Sequence, residues 1–65
     1  MKIGIIGYGS IARVHAQVLE NSSDFDLVAV LDNDETKKKE VKNEIEFYND
    51  NRIKEFLDRV EAVAI

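Results

Sequence analysis

Residues 7–12 read Gly-Tyr-Gly-Ser-Ile-Ala, a G-x-G-x-x-A pattern that follows the short apolar run Lys2–Ile6 and opens a stretch of helical periodicity. Strand, glycine turn and helix in that order point to a parallel α/β sheet, because a strand that runs into a helix needs a crossover to reach its neighbour. Each position of the turn has a physical job. Gly7 permits the sharp exit from the strand, Gly9 lacks a Cβ so that a diphosphate can approach the backbone, and Ala12 lets the helix lie close against the sheet. The free N–H groups and the positive dipole end at Ser10 and Ile11 then face the anion. The same spacing also serves as a plain tight turn, so its context decides between the two.

That context is read along the chain. Ile11, Val14, Val18 and Leu19 recur at three- and four-residue steps and describe the inward face of a helix running to about Glu20. His15, the single histidine, falls on that stripe and is read as a partly buried, hydrogen-bonded residue in preference to a catalytic one. Asn21 to Asp24 form a polar break, and Phe25 to Leu31 hold the run Leu-Val-Ala-Val-Leu, a strand buried on both faces. Asp32, Asn33 and Asp34 are all able to cap the short polar helix expected over about 35–42, which only Val41 and Ile45 can dock. Pairing of Asp34 with Lys38 and of Glu35 with Lys39 makes the basic run 37–39 a solvated helix face.

Phe47 and Tyr48 form an apolar island, and Tyr48 with the carboxylates at 44, 46 and 50 is assigned to surface and capping roles. Ile53, Phe56, Leu57 and Val60 then give an amphipathic helix with Glu55 and Arg59 paired on its outer side, followed by the last strand, Glu-Ala-Val-Ala-Ile. The fold class is therefore α/β, a βαβαβ unit forming the first half of a Rossmann-type doubly wound parallel sheet. Crossovers that step the same way place their helices on one face and leave the other bare. Because the central strand expects cover on both sides, residues 1–65 are expected to be a truncated, partial dinucleotide-binding domain, with the catalytic and substrate-binding part outside them.

Asp32 stands at the end of the second strand, twenty residues after Ala12, where a carboxylate accepts hydrogen bonds from an adenosine ribose diol. A 2′-phosphate at about 4 Å would meet repulsion of roughly 4 kcal/mol per charge pair at an effective dielectric of 20, so NAD is favoured over NADP. The next residue is Asn33, with no arginine beside it to offset the repulsion, although Lys37 is within reach of the area in principle. Arg13 either approaches a phosphate or faces solvent. S-adenosylmethionine-binding folds share the glycine turn and the acidic second strand, and a non-catalytic nucleotide-binding module is a further alternative.

Composition removes other classes. There is no cysteine and one histidine, so no thiolate or histidine metal cage is expected. A net charge of −4 lacks the basic footprint of a nucleic-acid binder, and no segment has the apolar length of a signal peptide or membrane span. A cytoplasmic location is the expectation. A unit this short buries only about 60% of its unfolded surface, which argues against a self-sufficient enzyme.

The segments Met1–Leu19, Asp24–Asp34, Phe47–Asp50 and Val60–Ile65 together resemble the N-terminal part of the Gfo/Idh/MocA oxidoreductases, over essentially all 65 residues. The most specific parts are the glycine turn, the Arg13-Val14-His15-Ala16 stretch after it, and Asp32. The resemblance implies NAD(P)-dependent oxidation or reduction of hydroxyl and carbonyl groups on sugars, cyclitols and related small molecules. It implies a cofactor site made of Gly7, Tyr8, Gly9, Ser10, Ile11 and Ala12, with Asp32 and Asn33 at the adenosine end. The family's catalytic lysine and histidine, and the open-sheet domain through which such enzymes often oligomerise, correspond to sequence after Ile65, so no residue here inherits a catalytic role. Aspartate dehydrogenases and dihydrodipicolinate reductases begin similarly.

Overall fold

A computed structural model describes all residues 1–65. Its sheet has four parallel strands, β1 (Lys2–Ile6), β2 (Asp26–Leu31), β3 (Glu46–Tyr48) and β4 (Ala62–Ala64), in the spatial order β3-β2-β1-β4. Two α-helices, α1 (Ser10–Glu20) and α2 (Ile53–Arg59), and two 3₁₀ helices, Glu35–Glu40 and Asp50–Arg52, make the connections. The α/β class and parallel sheet agree with the sequence reading, but there is one strand more. Glu46–Tyr48 is too short to show an alternation, and its apolar pair is a β-strand, with Tyr48 buried rather than on the surface.

The extra strand changes the winding. β1, β2 and β3 step one way across the sheet, and the connection from β3 to β4 returns over β2 and β1 to the far side. A right-handed return crossover puts its helix on the opposite face, so both faces of β2 are covered and the expected bare face does not exist. On one face Ile3, Ile5, Leu27 and Val30 pack with Tyr8 and Ala16. On the other Val28, Ala29, Leu31 and Tyr48 pack with Phe56, which is 0% exposed. Gly4 is what admits Phe56, since a Cβ there would come within 2.6 Å of its ring and 2.9 Å of Val60.

β2 carries a bulge. Ile3 pairs with Leu27 and Gly4 pairs with Ala29, which leaves Val28 as the extra residue. Val28 and Ala29 consequently join the same face, and the run Leu-Val-Ala-Val-Leu fills both cores without strict alternation.

The helices depart from the expected faces. Ala12, Ala16 and Leu19 of α1 meet the sheet, while Ile11 (74%), Val14 (59%) and Val18 (65%) are exposed. Close packing at the start of α1 selects the small residues, a choice that apolar spacing alone does not reveal. His15, read as partly buried, is exposed. The second connection is a 3₁₀ helix capped by Asp34, whose side chain accepts from Thr36 N–H. Its three-residue turn replaces the expected i,i+4 pairs with a Lys37–Glu40 contact at 3.8 Å. Val41 and Ile45 do dock this segment. In α2, Phe56 is buried and Ile53 and Leu57 are largely exposed, and Glu55 pairs with Arg52 at 2.8 Å instead of Arg59.

Candidate functional site

The glycine turn lies at the C-terminal end of β1, where the chain's connections leave to opposite sides of the sheet. Strand order reverses between β1 and β4, and in open α/β sheets ligands bind in the crevice formed at such a point. Gly7 has φ +86°, a left-handed conformation that glycine adopts without strain. Its N–H donates to Leu31 O over 2.7 Å, which fastens the turn to the end of β2. A Cβ built on Gly9 meets nothing within 4 Å, so the space above this residue is open and a side chain would fill it.

Gly9 also precedes α1 as its N-cap, and no side chain caps the helix. The first-turn N–H groups at Ser10, Ile11 and Ala12 therefore lack helical acceptors, the first α-helical bond from Arg13 N–H to Gly9 O coming one residue later at 3.0 Å. No acidic side chain stands in that first turn. Open backbone, uncompensated donors and a positive dipole end together suit a diphosphate.

Asp32 and the turn are in direct contact. Tyr8 N–H donates to Asp32 Oδ2 over 2.7 Å, and Asp34 N–H donates to Asp32 Oδ1 over 2.8 Å. The Asp32 backbone N–H in turn donates to Tyr48 O over 2.9 Å, so the carboxylate is anchored to β3 as well. A carboxylate has about four acceptor positions, so each oxygen retains capacity for a hydroxyl donor. Asn33 stands exposed beside it. Tyr8 adds a second element, since its ring is buried under α1, and its phenol is pushed up by burial and then by the Glu20 carboxylate.

A cleft of about 440 Å³ opens beside the turn, lined by Gly7, Gly9 and Ser10, by Ile11, Ala12 and His15 of α1, and by Ala64 and Ile65 at the end of β4. Its walls are mostly apolar, and His15 is the sole titratable group among them. Sequence reading assigned neither His15 nor the β4 residues to this cleft. Ala64 and Ile65 share the carboxyl-end side of the sheet with the glycine turn, and His15 faces them from α1, a juxtaposition legible only once the strand order is known. Arg13 neither lines this cleft nor stands free in solvent, because its guanidinium pairs with Glu40 at 2.8 Å.

No helix is long and apolar enough to cross a membrane. Comparison with curated proteins and with solved structures returns no match to this chain. A family model described as an oxidoreductase family with an NAD-binding Rossmann fold matches residues 1–65, the whole of the chain. With a doubly wound parallel sheet, a glycine turn at the strand reversal and an acidic second strand, the chain belongs to the Gfo/Idh/MocA oxidoreductase family, NAD-binding Rossmann fold.

Proposed function

We propose that this chain holds NAD in preference to NADP, as the cofactor-binding segment of an oxidoreductase acting on a hydroxyl or carbonyl carbon of a sugar, cyclitol or related small molecule. The observation that supports the reading is the contact between Asp32 and Tyr8 N–H, which brings a strand-end carboxylate against the glycine turn. In this reading the turn Gly7-Tyr8-Gly9 leaves the approach open, and the free N–H groups of the first turn of α1 at Ser10, Ile11 and Ala12 donate to the diphosphate. Asp32 accepts from the adenosine ribose, with Asn33 alongside. The bound cofactor supplies hydride chemistry, and the protein's part is to hold and orient it.

None of these residues is assigned acid, base or nucleophile. The catalytic groups and the substrate domain belong in this reading to a longer parent protein, in which the exposed apolar stripe of Ile11, Val14 and Val18 is covered. Titration calorimetry with NAD, NADP and S-adenosylmethionine tests the assignment. NAD is expected to bind most tightly, and Asp32→Ala to weaken NAD more than NADP. Equal affinity for NAD in wild type and variant removes Asp32 from the site, and binding of S-adenosylmethionine alone removes the oxidoreductase reading of the site.

A further inference from the structure

We infer that Glu40 is a second determinant of cofactor choice, acting by holding the two cations that flank the Asp32 loop. Its Oε1 lies 2.8 Å from Arg13 Nη1 on α1, and its Oε2 lies 3.8 Å from Lys37 Nζ on the 3₁₀ helix. One carboxylate thus engages both cations, through separate oxygens. No other carboxylate forms an ion pair with either.

The placement makes those cations relevant. Arg13 and Glu40 border a depression of about 230 Å³ beside Tyr8, whose backbone N–H is bonded to Asp32. Lys37 belongs to the helix capped by Asp34, whose own N–H holds the other oxygen of Asp32. A 2′-phosphate carries close to two negative charges and would be repelled by Asp32 unless a nearby cation offset it. Arg13 and Lys37 stand on the two elements beside this loop, and Glu40 engages both while offsetting one of their two charges. Discrimination against NADP in this account has two parts: Asp32 repels the extra phosphate, and Glu40 withholds part of its counter-charge. This inference rests on the proposed NAD site and extends it to a residue that touches no part of the cofactor, so Glu40 is a positioning residue.

Titration calorimetry with NAD and NADP at low salt tests it, using wild type, Glu40→Gln, Glu40→Lys and the triple variant Glu40→Gln, Lys37→Met, Arg13→Met. Both pairs are partly solvent-exposed, so the effect is modest: NADP should bind about fivefold more tightly to Glu40→Gln than to wild type, with NAD affinity held within about twofold. Glu40→Lys should shift the ratio further in the same direction. The gain should vanish in the triple variant and in about 1 M salt, where screening is strong. Structural damage would weaken both cofactors together and leave their ratio unmoved. An unchanged ratio in both single variants, or a gain that survives loss of both cations, overturns the role of Glu40 while leaving NAD binding intact. Absence of binding of either dinucleotide to wild type overturns the cofactor reading itself, and this inference with it.

Discussion

Replacing Asp32 with asparagine keeps the shape of the side chain and changes its hydrogen-bonding logic. The wild-type carboxylate receives Tyr8 N–H on one oxygen at 2.7 Å and Asp34 N–H on the other at 2.8 Å. Asparagine offers one oxygen, so one of these donors must face an amide NH₂. A bond to a charged acceptor contributes about 1.5–3 kcal/mol, a neutral one about 0.5–1.5, and an orphaned donor costs about 1–3. Asp32 is only partly buried, so water relieves some of the mismatch, and the expected loss is about 2 kcal/mol. A 65-residue domain has a total stability of roughly 3–10 kcal/mol, so this is a large fraction of it. Each kcal/mol moves Tm by about 4–8 °C at this size, which gives a drop of about 10 °C. Thermal unfolding followed by circular dichroism reads that shift, and calorimetry on the same sample reads a weakening of NAD. Asp32→Ala opens both donors to water and should destabilise less while weakening NAD as much. A Tm within 2 °C of wild type for Asp32→Asn would refute the view that this carboxylate clamps the turn.

Gly9→Ala should separate binding from folding: the new Cβ meets no protein atom, so stability stays within about 1 kcal/mol, while NAD affinity, measured by calorimetry, falls at least about tenfold as the methyl occupies the approach to the backbone. Phe56→Ala removes a fully buried ring and should cost about 3–5 kcal/mol, enough to leave much of the chain unfolded in a urea titration. The Asp34 carboxyl is held below its usual range by the Thr36 hydroxyl at 2.6 Å and then by Thr36 N–H at 3.0 Å. A depressed folded pKa contributes stability above the unfolded value of about 3.9 and loses it as pH falls through the lower folded value, so Thr36→Val should move the Asp34 titration, followed by NMR, back up toward the ordinary value.

Much of this was legible in the sequence because it depends on local chemistry. The limits of β1 and α1 are visible in the sequence, since a strand ending at Gly7 and a helix ending before the polar residues 21–24 are marked by their punctuation. Asp32 was placed at the end of β2 for the same reason. What escaped was non-local. Glu46–Tyr48 is recognisable as a strand through its pairing with Ala29–Leu31, and without it the last strand could not be put on the far side of β1. The inward face of α1 is hidden in the sequence because the larger residues Ile11, Val14 and Val18 carry the apolar signal, whereas contact with the sheet selects Ala12 and Ala16. Ion pairs failed for a related reason: Glu40 and Arg13 meet across two elements, and no sequence spacing announces that.

The bulge at Val28 leaves the other end of its strand in register. Beyond it, Ile6 lies level with Leu31, and that alignment lets Gly7 N–H reach Leu31 O and Tyr8 N–H reach Asp32. Because the pairing skips Val28, removing it would close the bulge: Leu27 and Ala29 would follow one another opposite Ile3 and Gly4, and every downstream side chain would keep its face. The acidic group would stay in step with the corner it braces, and the loss would fall on the core around Phe56. A single surplus residue near the bottom of the sheet thus fills an interior without setting the recognition surface at its top, which leaves that surface insulated from changes in strand length there.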